Sequence, residues 1–258
     1  MRAMSSRTST RSWIVSTAVA FCTVLIHCTL ARAGQELAPP VVSRSSEDTL
    51  FVNCTENEKP KRVLSPAAVS EDERWSAYVE VDVQGKHGCL HTSRLWVAKG
   101  NSPYRLLYLI PPQRDSVENG MKVLGWAPGS RMVLVQTEQW QYGSDAPDSQ
   151  QILAIDTETG EVYEPRLESL LQNRDGKQCA FRITDAGFSS DKNVIILVRA
   201  NIFTALEPDE SEADLPVAKR CTNREETWSF NYATGETKLS GSGEPLHLFR
   251  KFLPNVAK

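Results

Sequence analysis

Three residues whose side chains can bind metal alternate along one short stretch of the chain, His87, Cys89 and His91. In an extended strand this spacing places all three side chains on one face, and imidazole and thiolate are common zinc ligands. The alternative is a polar loop whose cysteine is oxidised, because a disulfide sulfur cannot act as a thiolate ligand. We expect the oxidised form, and therefore neither a metal nor another cofactor.

The sequence contains none of the short motifs that are typical of common active sites. It has no Gly-x-Ser-x-Gly elbow, no His-Glu-x-x-His, no phosphate-binding glycine loop and no dinucleotide fingerprint. Few histidines are present to act as general bases at neutral pH. These patterns favour a protein without a catalytic site, although they leave an enzyme open.

Two further segments could recognise a partner. The stretch 207–214 carries five carboxylates but lacks the spacing and glycine of a calcium loop, so we expect a solvated loop. Trp140 and Tyr142 fall in a polar segment, 138–148, that we predict to be a loop between two strands. Aromatic residues on a loop form a candidate binding surface. The alternative is that they plug a gap in the structure.

Charge and the N-terminal segment restrict the class of protein. The formal net charge is −3, which gives no sign of a nucleic-acid-binding surface. Residues 1–33 combine early arginines, an apolar stretch and Ala31-Arg-Ala33, which is typical of a signal peptide cleaved after Ala33. We therefore predict a periplasmic or secreted protein with no stable membrane span after cleavage. An uncleaved signal that serves as an anchor is the alternative.

Beyond the signal, residues 34–48 are predicted to be an extended lead-in, and 49–258 to form one β domain. Within it a phrase recurs three times, at 69–79, 126–136 and 188–198: a large apolar residue, a polar turn and a β-prone run. Two further strands follow each copy. The predicted strands are 75–83, 95–98 and 104–110; 132–137, 152–155 and 161–163; and 194–198, 228–232 and 236–239. We assign Trp75, Trp96, Trp126 and Trp228 to the core between sheets.

The repeats resemble the TolB-type, WD40-like β-propeller repeat, whose hallmark is an aromatic-Ser-Pro-Asp-Gly turn. Trp126-Ala-Pro-Gly-Ser130 keeps the aromatic residue and the proline, and Phe188-Ser-Ser-Asp-Lys192 keeps the aromatic residue, one serine and the aspartate. The resemblance implies an all-β, propeller-like fold with three complete four-stranded blades. A fourth, composite blade would combine 49–64 with 246–252. Both a closed ring and an open meander remain possible.

The alignment of the repeats also suggests how the cysteines pair. Outside the predicted signal the chain has Cys54, Cys89, Cys179 and Cys221, and an even number in an exported protein indicates disulfides. Four cysteines allow three connectivities, and the quasi-equivalent pairs are Cys54–Cys89 and Cys179–Cys221.

Two hypotheses of function follow. The resemblance implies a non-catalytic module that binds a protein partner in the cell envelope. The alternative is an enzyme or small-ligand receptor with its site in a central channel.

Overall fold

The computed structural model describes residues 50, 52, 59–84, 90–113, 117–129, 131–141, 149–189, 192–205, 216, 221–241, 243–248 and 251–252. The predicted signal peptide, the lead-in 34–48 and the acidic stretch 207–214 lie outside the described residues. The same holds for Cys54, His87, Cys89 and Tyr142, so their predicted roles stay predictions.

The described strands form three antiparallel sheets, in which most neighbouring strands follow one another in the sequence; the first and the third sheet each gain one strand from the C-terminal part of the chain. The first sheet contains β1 (Lys61–Leu64), β2 (Ala68–Val69), β3 (Trp75–Gln84), β4 (Leu90–Lys99) and β5 (Arg105–Ile110). The second contains β6 (Val117–Trp126), β7 (Met132–Gln141), β8 (Ser149–Asp156) and β9 (Val162–Tyr163). A helix, α1 (Leu167–Asp175), precedes the third sheet, which contains β10 (Cys179–Ser189), β11 (Lys192–Thr204), β12 (Arg224–Asn231) and β13 (Glu236–Ser240). Two short strands follow, β14 (Leu246–His247) and β15 (Lys251–Phe252).

The repeat predicted from the sequence corresponds to one sheet in each copy. The predicted apolar anchors Val69, Trp126 and Phe188 lie in β2, β6 and β10, the first strand of the repeat in each sheet. The three strands predicted after each anchor all form, in the predicted order. The prediction of an all-β fold is confirmed at the level of three antiparallel sheets.

The second sheet is buried on both faces because it lies between the other two. Val123 and Val135 belong to the hydrophobic core shared with the first sheet. Leu134 and Ile152 belong to the core shared with the third sheet, together with Phe188. A strand buried on both faces has no polar alternation, and the first half of β7 is accordingly a continuous run of buried residues.

The first sheet is buried on one face only, and β3 shows the alternation that this arrangement demands. Trp75 packs across the interface on Trp126, with ring centroids 6.5 Å apart. Trp75, Trp126 and Trp228 are buried as predicted. The prediction for Trp96 was wrong: its place in β4 turns the half-buried ring to the outward face, where it stacks on Tyr78.

The two ends of the domain do not combine into a composite fourth sheet within the described part of the chain. β1 pairs with β3 on the same side of that strand as β2, further along β3. Leu50 bridges to Met121 of the second sheet. The C-terminal strands pair elsewhere: β14 with β10 of the third sheet, and β15 with β2 of the first. The predicted pairing of 49–64 with 246–252 is therefore corrected, because the C-terminal strands fill the open edges of β10 and β2.

Candidate functional site: a cleft beside the open edge of the second sheet

A cleft lies between β8, helix α1 and β10. Its volume is about 450 Å³, within the range typical of ligand-binding pockets. The lining residues are Ser149–Ile152, Glu164–Ser169, Gln172, Lys177, Cys179–Phe181, Ile183 and Ala205. Apolar members such as Ile152 and Ile183 are buried, whereas the charged members Glu164, Arg166, Glu168 and Lys177 are exposed. The cleft therefore combines buried apolar residues with a charged rim.

The cleft exists because the fourth strand of the second sheet stops early. β5 pairs with five residues of β4, and β13 pairs with five residues of β12. β9 pairs with only two residues of β8, Ala154 and Ile155. Pro165 follows almost at once, and proline has no backbone N–H to donate to a sheet. The chain turns into α1 instead, which leaves the outer edge of 149–153 without a strand partner among the described residues.

The backbone groups on this open edge can be assigned from the hairpin that precedes α1. The Asp156 N–H donates to the Glu161 carbonyl at 2.9 Å, so Asp156 directs its backbone groups to the β9 side. Backbone direction alternates along a strand. Ile152 and Gln150 therefore direct their N–H and C=O groups towards the cleft, while Gln151 and Leu153 bond to β7.

A buried amide network supports the floor of the cleft. Gln150 Nε2 donates to Glu138 Oε1 at 2.7 Å, and Gln136 Nε2 donates to the same oxygen at 2.7 Å. Gln150 Oε1 accepts a hydrogen bond from the backbone N–H of Ile183 at 2.7 Å. The Gln150 side chain thus joins the second sheet to the third and fixes the width of the groove at its base.

Helix α1 forms the opposite wall and is held at its C-terminal end by charges. Arg174 Nη2 lies 2.8 Å from Glu226 Oε1, and the guanidinium group of Arg174 stacks over the ring of Trp228. Asp175 accepts hydrogen bonds from Arg174 and from Arg224 of β12. The hydrogen bond from Arg174, reinforced by Arg224, holds the pKa of Asp175 below its usual value. The Asp175 carboxylate is therefore ionised at neutral pH and ties the helix to the third sheet.

A disulfide fixes the same wall covalently. Cys179, which lines the cleft, is bonded to Cys221, as the alignment of the repeats predicted. Both cysteines are buried with Leu171 of the helix and Ile202 of β11. The cross-link and the ion pairs together hold α1, β10 and the start of β12 in one arrangement.

The one group of possible metal ligands in the described part of the chain is Asp175, Cys179 and Cys221. Both sulfurs are used in the disulfide, and Asp175 is paired with two arginines. This donor set does not suit a cation. Of the predicted His–Cys–His stretch only His91 is described. It is buried, and its Nε2–H donates to the Val52 carbonyl at 2.7 Å, so its role here is to hold the chain at residue 52 against β4.

Trp140 does not lie on a loop, which corrects the prediction. β7 runs through it to Gln141 because the first half of β6, which the sequence pattern did not reveal, pairs with β7 as far as that residue. Trp140 is half-buried, opposite Glu118 in the register of the two strands. Its part in binding stays a prediction.

The hydroxyl groups among the described residues that line the cleft make local hydrogen bonds. Its two serines are engaged locally: Ser149 Oγ donates to Gln139, and Ser169 Oγ to the Arg166 carbonyl. No histidine lies among the residues that line it. The arrangement is suited to binding through backbone and apolar contacts.

No family model matches the chain, and neither does any curated protein sequence. Among solved structures it is similar to an ACO/RPE65 chimera, with 10% identity and a TM-score of 0.33. It is also similar to a monoclinic crystal form of a point variant of that chimera, with 10% identity and a TM-score of 0.36. Each match covers 69% of this chain and 39% or 38% of the other, respectively, so the chain spans less than two-fifths of their length.

Within the described residues, no helix has the length and apolar character needed to span a membrane.

Proposed function

We propose that this chain is an exported, non-catalytic binding module whose propeller-like sheets present a cleft to a protein partner in the cell envelope or outside the cell. The repeated four-stranded sheets and their resemblance to TolB-type repeats support this class of scaffold. The Cys179–Cys221 disulfide is compatible with an oxidising compartment.

The observation that carries the proposal is the open edge of β8 at the base of the cleft. An extended peptide segment can add to such an edge as a further strand, with main-chain hydrogen bonds supplying affinity. Gln150 and Ile152 would each offer the incoming strand one donor and one acceptor. The incoming strand would thus occupy the position beside β8 that a longer β9 would fill.

Side chains of the added strand would meet two different surroundings. Those that face the third sheet would contact Ile152, Phe181 and Ile183, which favours apolar residues at alternate positions. Those near the rim would meet Glu164, Arg166 and Lys177, which carry charges of both signs. These charges would favour oppositely charged residues at particular positions of the partner segment, and they would not favour one net charge over another. The partner segment is therefore expected to alternate apolar and polar residues.

The test begins with capture of partners from envelope extracts of the host, using the full chain. Ala180→Trp fills the cleft with a bulky ring, because Ala180 lines it and is partly exposed. The matched control is Ser102→Trp, an exposed residue in the turn after β4. A partner retained by the wild type and by the control, but lost by Ala180→Trp, supports the site. Trp140→Ala in the same assay tests the predicted role of that residue.

Strand addition is then tested on the segment of the captured partner that binds. Peptides N-methylated at single positions should lose binding at alternate residues, because only every second N–H faces β8. Loss at consecutive positions or at none would rule out an added strand. Capture that is unaffected by Ala180→Trp would rule out the cleft.

A further inference from the structure

The outer edge of the first sheet carries most of the large apolar side chains that the described structure exposes. Leu106 and Leu109 of β5 are each 43% exposed, and Tyr104, immediately before the strand, is 39% exposed. β5 pairs with β4 on one side, and no described strand pairs with it on the other. An exposed strand edge with apolar side chains is a template for pairing with another chain.

A β-bulge places both leucines on the same face of the sheet. Leu106 lies opposite Trp96, and Leu109 opposite Arg94, with a register shift between Leu95 and Trp96. In a regular strand residues three apart point to opposite faces, and the bulge supplies the extra residue that brings them together. This face is the outward one, because Leu95 belongs to the core shared with the second sheet.

The remaining residues of β5 face inward. Arg105 lies opposite the core residue Val97, and Ile110 is buried in the same core. Leu107 and Tyr108 both pack against that core. From Arg105 to Ile110 the faces therefore run inward, outward, inward, inward, outward, inward. This order is the same in both directions.

We propose that β5 is an edge at which a second copy of this chain pairs, antiparallel and about a two-fold axis between Leu107 and Tyr108. In that arrangement every inward residue lies opposite an inward residue, and Leu106 of each copy lies opposite Leu109 of the other. A two-fold interface requires such self-complementarity. Pro111 follows the strand and limits the pairing to the length of β5.

The surroundings of the two leucines suit an interface. Tyr78 stacks on Trp96 at 6.4 Å and meets the edge of Tyr104 at 4.8 Å, which extends the apolar surface next to the leucines. Arg94, paired with Glu80 at 3.0 Å, forms part of a charged rim. The one charged residue of β5, Arg105, would lie opposite Ile110 of the other copy, so no like charges are opposed.

The test uses the two-fold register itself. We expect sedimentation equilibrium of the full chain to show a concentration-dependent dimer. Leu106→Lys should reduce the mass to that of the monomer, since each lysine would face Leu109 of the other copy. The double variant Leu106→Lys/Leu109→Glu should restore the dimer, because lysine then faces glutamate across the axis. That dimer should weaken as salt is added.

Leu239→Lys is the matched control, since Leu239 is an exposed apolar residue at the edge of the third sheet. It should leave the dimer unchanged, and circular dichroism should show each variant folded. A monomeric wild type at the highest soluble concentration would overturn the proposal. So would a dimer insensitive to Leu106→Lys, or a double variant that stays monomeric.

Discussion

The side chain of Gln150 reaches Glu138 across two neighbouring strands, with Nε2 2.7 Å from Oε1, and its other end accepts the N–H of Ile183 in the next sheet. One side-chain amide therefore satisfies a carboxylate of the second sheet and a backbone N–H of the third sheet, and it links the two sheets at the base of the cleft.

We expect Gln150→Leu to lower the free energy of unfolding by about 1–3 kcal/mol, because it leaves the Ile183 N–H without its acceptor in the groove. Urea denaturation measures the change. Gln151→Leu is the control, since Gln151 is the exposed neighbour on the same strand. Equal effects of the two substitutions would show that the amide bridge contributes nothing specific.

Removal of the disulfide should destabilise the chain more than any single contact in the cleft. Cys179 and Cys221 are 42 residues apart, and closing such a loop contributes about 4 kcal/mol by the chain-entropy estimate. We expect Cys179→Ala/Cys221→Ala to lower the melting temperature and to weaken capture of the partner. Reduction of the wild type should reproduce both effects, and a reduced wild type as stable as the oxidised one would contradict this.

Asp175 makes stability depend on pH in the acid range. Its pKa is lowered in the folded chain, mainly by the hydrogen bond from Arg174, so its contribution is present above its usual value of 3.8. That contribution is lost as the pH falls through the lowered pKa. We expect Asp175→Asn to reduce stability at neutral pH by on the order of 1 kcal/mol, and the difference to vanish at strongly acid pH. Urea titrations at both pH values measure this, with the exposed Glu71→Gln as control.

Glu118 should have the opposite effect. Burial raises its pKa above the usual value of 4.5, and the charge of His91 offsets this only in part. The folded chain therefore favours the protonated acid, and ionisation costs stability as the pH rises above 4.5. We expect Glu118→Gln to raise the melting temperature at neutral pH and to have little effect below 4.5. A substitution that is equally stabilising at both pH values would contradict the linkage.

The sequence predicted the repeated strands because their signals are local: an apolar anchor, a polar turn and a β-prone run fall within a few residues of one another. It also paired Cys179 with Cys221 through the alignment of those repeats. The first halves of β6 and β10 were missed, since stretches such as 117–122 mix polar residues and a glycine with apolar ones and show no clear alternation; that stretch forms a strand through its pairing with β7.

The cleft was missed for a related reason. Pro165 was a signal for the end of β9, but the open edge becomes a site only when α1 and β10 are packed beside it. The bulge in β5 likewise depends on the register with β4. The partners of the C-terminal strands could not be predicted either, because two-residue strands carry no pattern of their own.

The pairing of β15 with β2 has a consequence for the order in which the chain folds. Lys251 pairs with Val69 and places its Nζ 3.0 Å from Glu73 Oε1, which joins the last described strand to the first repeat. Contacts of such high sequence separation form late and slowly. During synthesis the first two sheets can pack as they emerge, but the edge of β2 that β15 occupies stays open until residues 251–252 have been made. An incomplete chain would therefore expose a strand edge that the finished protein covers, and quality-control proteases and chaperones would have a physical basis for telling the two apart.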